Sequence, residues 1–140
     1  MSIPHAYLVH FPIALLSICF VFEVAALVTR KSELSRVGWW TQIAGTVGLA
    51  AAVYTGLQAR EKVSVPPGWS ESVQTHEQLA FLTAAVFASL LLWRIATKSA
   101  VPKKGGVLFY LLLLAGVGSL LFGAWLGGEM VYRGGIGVAG

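Results

Sequence analysis

Four long apolar runs, separated by short polar clusters, account for nearly the whole chain. About 20 consecutive apolar residues suffice for a helix to cross the hydrocarbon core of a bilayer. The runs predict membrane spans over residues 4–29, 37–60, 71–98 and 107–133. Pro4 suits the first turn of the first span, and Pro12 is expected to bend that helix near His10. Trp39 and Trp40 open the second span as an interfacial aromatic pair. Pro66-Pro67-Gly68 precedes the third, with Ser70 expected as its N-cap and Glu71 in the favourable first turn. The fold class that follows is all-α: one integral membrane domain over residues 1–140, an up-down four-helix bundle.

Composition agrees with lipid as the solvent. The 140 residues are 56% hydrophobic and only 11% charged, against about a quarter charged in a soluble domain. The formal charge of +4 comes from residues scattered singly and in pairs, with no basic stripe for phosphates, so nucleic acid is not an expected partner. Cys19 is the sole cysteine and is read as a small buried side chain. No Lys or Arg precedes the first run, so a cleavable leader is not expected and the run should stay in the membrane.

The basic residues also orient the bundle. Arg30, Lys31, Arg36, Arg94, Lys98, Lys103 and Lys104 fall at one end, and Arg60, Lys62 and Arg133 at the other. By the positive-inside rule, both termini and the 61–70 loop lie outside. In a bacterium this makes the chain a multi-pass inner-membrane protein with periplasmic or extracellular termini.

Two rows of small residues run along the second and fourth spans: Ala44, Gly48, Ala52 and Gly56, and Ala115, Ser119, Gly123 and Gly127. Such rows allow close helix packing, or leave room for a flat ligand. Candidate chemistry gathers at the outer end. His10 and His76 sit at matched depth, roughly 8–10 Å inside their helix ends at ~1.5 Å per residue. His5 lies higher, at headgroup level. Ionisable groups within spans mark functional sites by default. Glu129 is expected to pair with Arg133 at i, i+4, and Glu23 to reach the interface or pair across the bundle.

Spans 1 and 3 of an up-down bundle face each other diagonally, roughly 12–14 Å apart given ~8–10 Å between neighbours. Two imidazoles reaching across that gap suit the iron of a porphyrin set edge-on between them. The expectation is therefore haem b, non-covalent because CxxCH is absent, with His10 and His76 as iron ligands. Arg60, Lys62, Arg133 and the neighbouring Tyr132 would meet its propionates. Two other readings stand beside it: a cofactor-free structural or assembly subunit, and a zinc or copper site made by His5, His10, His76 and Glu129. No nucleophile–base pair or phosphate loop points to an enzyme.

The segments HAYLVHFPIALL (His5 to Leu16), His76 at the head of span 3, and GAWLGGEMVYRGGIGV (Gly123 to Val138) resemble a bacterial membrane family called domain of unknown function 2231. The resemblance covers essentially the whole chain. It implies four membrane helices and a redox setting, since its members occur fused to cytochrome c-like or Rieske-type modules. Such a redox protein, or quinone, would be the partner alongside the lipid bilayer. The family often has His-Pro where this chain has His5-Ala6, and a histidine where it has Gly134.

Overall fold

The computed structural model describes residues 4–137 as helices joined by short connections. In order they are α1 (Pro4–Leu8), α2 (His10–Thr29), α3 (Ser32–Arg60), α4 (Ser70–Ala96) and α5 (Gly106–Tyr132). α1 and α2 together form the first span, broken at Val9. Pro12 has no N–H to offer the carbonyl of Leu8, so the ladder is interrupted where the sequence placed a bend. α3 starts at Ser32, several residues before the expected 37, with Glu33 in its first turn. Ser70 is the first helical residue rather than the cap. Trp69 occupies the cap position and makes no side-chain capping bond.

Three segments, His5–Thr29, Ser70–Ala96 and Gly106–Tyr132, are long and apolar enough to cross a membrane. α3 is as long, but its glycines, threonines and Gln42 dilute its hydropathy. It packs along α2 on one side and against α4 on the other, while α5 packs against α4 and α2. The helices thus close a four-membered ring in which α2 and α4 are diagonal. Large apolar side chains such as Val28, Val47, Leu92, Val107 and Trp125 point outward, as expected where lipid is the surround. Among the described residues, Leu16, Cys19, Leu49, Phe87, Leu90, Phe109, Leu113, Val117 and Leu120 fill the centre. The fold is an all-α membrane bundle of up-down topology.

An internal repeat organises it. The buried residues of α2 are Pro12, Leu16, Cys19 and Glu23, and those of α4 are Thr83, Phe87, Leu90 and Arg94. Each lies 71 positions after its counterpart, the separation of Glu23 and Arg94. The same offset carries Gly38, Gln42, Gly45, Leu49 and Ala52 of α3 onto Phe109, Leu113, Gly116, Leu120 and Gly123 of α5. Two helical hairpins therefore bury equivalent faces against each other. Half a turn about an axis parallel to the helices exchanges them, the arrangement of parallel membrane repeats.

Candidate functional site

One end of the bundle is closed by charge. Arg94 and Glu23 are fully buried and meet at 2.5 Å. The guanidinium also donates through Nη1 to Gln42 Oε1 at 3.1 Å, through Nη2 to the Ser35 carbonyl at 3.1 Å, and through Nη2 to the Ser99 carbonyl at 2.9 Å. Ser35 Oγ donates to the carboxylate at 3.0 Å, and the Trp39 ring lies 5.2 Å from the guanidinium carbon. Glu23 thus pairs across the bundle. Arg94, counted with the loop charges above, is instead a core residue. Gly38 is required here, because a Cβ on it would run into the Glu23 carboxyl group.

The opposite end opens into a cavity of about 530 Å³ bordered by every span. Its lining is largely apolar, with His5 and His76 among the few polar side chains. Their settings are equivalent. His5 Nδ1 lies 2.9 Å from the Ala52 carbonyl, and His76 Nδ1 lies 2.9 Å from the Gly123 carbonyl. A carbonyl only accepts, so each Nδ1 carries its proton and each Nε2 keeps a free lone pair. Both rings rest on glycine. A Cβ on Gly56 would come within 3.0 Å of His5 Cε1, and one on Gly127 within 3.1 Å of His76 Cε1. The outer ends of the two small-residue rows are therefore seats for imidazole rings.

Within the repeat the counterpart of His76 is His5, whereas the depth count pairs His76 with His10; all three border the cavity. His10 is exposed at the cavity rim. Two of the expected anion-binding residues are held by acids, and Tyr132 borders the cavity. Arg60 borders the cavity but is ion-paired with Glu77. Arg133 pairs with Glu129 at 3.1 Å, with its side chain 74% exposed. Tyr132 is 90% exposed, and Lys62 is exposed as well. Among the described residues no three His, Cys, Asp or Glu side chains converge, so His5, His10, His76 and Glu129 do not form one cluster. At Gly134 a Cβ would meet the Trp69 ring at 3.0 Å and the Met130 carbonyl at 2.6 Å. Any side chain there would have to shift the Met130 backbone carbonyl as well as the Trp69 ring.

Over residues 3–140 the sequence matches the family described as predicted membrane protein (DUF2231). The chain belongs to that family. Neither a curated protein nor a solved structure matches it. For this member of DUF2231, two half-repeats meet around a cavity with one oriented histidine from each.

The signal that points to His5 is the repeat. At the same offset His5, Leu8, Ala14, Ala25, Ala44, Gly45, Leu49 and Gly56 recur as His76, Leu79, Ala85, Ala96, Ala115, Gly116, Leu120 and Gly127. In a chain this rich in Leu, Ala and Gly most such matches carry little information. The histidine pair and its glycine seats carry more.

Proposed function

We propose that this protein binds b-type haem between its two hairpins, with His5 and His76 as axial ligands, and serves as an electron-transfer protein or redox-complex subunit. The reading rests above all on the equivalence of the two histidines, each with Nδ1 committed to a backbone carbonyl. Such a bond from the other ring nitrogen is the usual way a protein aims Nε2 of an iron- or zinc-ligating histidine. The cavity volume falls within the ~300–1,000 Å³ of cofactor and ligand sites, and its apolar walls suit a porphyrin face. An imidazole from the first span and one from the third would supply the two nitrogens that a haem iron can take. Bound there, haem would supply one-electron transfer. The chain's contribution would be to orient both imidazoles and exclude water.

The membrane setting extends the same reading. With Arg94 removed from the count, Arg30, Lys31, Arg36, Lys98, Lys103 and Lys104 still lie at the Glu23–Arg94 end and are exposed. Of the three basic residues at the histidine end, Arg60 and Arg133 are paired with acids. This asymmetry favours a cytoplasmic Glu23–Arg94 end in a bacterial inner membrane, with termini and cavity on the periplasmic side.

Absorption spectra of the purified protein, oxidised and reduced, test the haem. A Soret band and sharp low-spin reduced bands are expected. His5→Ala and His76→Ala should each abolish or shift them, while His10→Ala leaves the band positions unchanged. A colourless protein from haem-replete cells would defeat the reading. Bands that depend on His10 but not on His5 would restore the depth-matched pair instead.

A further inference from the structure

The repeat breaks at the histidine end, and the break separates the two flanks of the cavity. On the α3–α4 flank Glu77 pairs with Arg60, and Phe81, one turn further along α4, borders the same cavity. Offset by 71 residues, the equivalents on the α2–α5 flank are Ala6 for Glu77, Val131 for Arg60 and His10 for Phe81. One seam is latched by an ion pair. At the other, Ala6 of α1 and Val131 of α5 both border the cavity without meeting, since among the described residues α1 packs on α2 and α3 but not on α5. Beside that unlatched seam stands an exposed histidine.

Packing does not require a histidine at position 10, because its counterpart Phe81 borders the cavity as an apolar ring. An imidazole facing lipid part-way along a span is costly, and such residues mark pathways and ligand sites. The rest of the seam, Val9, Ile13 and Val131, is apolar. An imidazole N–H beside an apolar slot, open to the bilayer and continuous with the cavity, suits an amphiphile with a carbonyl head and a hydrocarbon tail.

We propose that the α2–α5 seam is a lateral opening to the bilayer and that His10 donates a hydrogen bond to the ring carbonyl of a membrane-soluble quinone held there. The proposal deepens the haem reading, on which it rests for its biological sense, by naming the class of partner that reaches the same cavity. The binding itself does not need haem.

Titrating a short-tailed ubiquinone into the full-length protein in nanodiscs, read by tryptophan quenching, tests it. Saturable quenching is expected for the parent. His10→Phe installs the residue of the equivalent position and should raise Kd about tenfold, the size of one lost hydrogen bond. His10→Gln keeps a donor and should stay near the parent. No saturable quenching by the parent, or equal affinity for His10→Phe, overturns the proposal. A colourless protein that still binds quinone through His10 would refute the haem and leave this site standing. Intact haem bands with no quinone binding would do the reverse.

Discussion

Arg94 shows how much one side chain decides in this bundle. Its guanidinium is wholly buried, yet Glu23, Gln42, Ser35 and Ser99 together satisfy it. A buried charge so partnered contributes little beyond an apolar replacement of both residues, but removing one partner strands the other. Glu23→Ala or Arg94→Ala should therefore lower stability by about 3–5 kcal/mol. The double variant Glu23→Leu/Arg94→Leu should cost less than the two single changes added together. Unfolding titrations in mixed micelles measure this, and strictly additive losses would show that the pair is not coupled. At this scale the sequence was legible in part. An acid in span 1 and a base in span 3 were visible, but their distance from helix ends does not say that they point at each other. The histidines posed the same difficulty. Depth counted from span starts pairs His10 with His76, whereas the 71-residue offset pairs His5 with it, on a segment that the Val9 break sets apart from α2.

At the scale of elements, the apolar runs located all four long helices to within a few residues, because hydrocarbon thickness dictates their length. Where the polar caps begin was less legible. α3 extends back to Ser32 because Arg30, at φ 59°, turns the chain within two residues and leaves Ser32 free to start the next helix. The small-residue rows proved informative at their outer ends, where Gly56 and Gly127 seat imidazoles. Elsewhere they are mixed: Gly48 faces Pro12 and Ala52 is buried, whereas Ala44 and Ala115 are exposed. Gly127→Leu should therefore displace the His76 ring, destabilise the bundle and disturb any ligand held by that histidine. Gly118→Leu, on the same helix with nothing within 4 Å of its added Cβ, should melt like the parent. Thermal denaturation of the two variants compares them directly, and matching melts would place Gly127 outside the packed seam.

For the whole molecule, the fold class could be read from hydropathy alone, but the two-fold relation between hairpins could not. It resides in which faces are buried, and lipid accepts apolar side chains on any face. The proposed orientation rests on the exposed basic residues once Arg94 is set aside. A periplasm-active reporter fused after the C-terminus should be active, and one inserted in the 99–105 loop silent. The reverse pattern would turn the cavity to the cytoplasm while leaving its two histidines together.

The Glu23–Arg94 contact also has a temporal side. The two residues are 71 positions apart, so at ~5–20 residues per second the arginine is made roughly 4–14 s after the glutamate. Through that interval the first hairpin can occupy the bilayer with its Glu23 carboxyl group lacking the guanidinium that it meets in the finished fold. Only a chain translated through α4 completes the buried pair, so an interrupted nascent product differs chemically from the finished fold, and membrane quality control has that difference to act on.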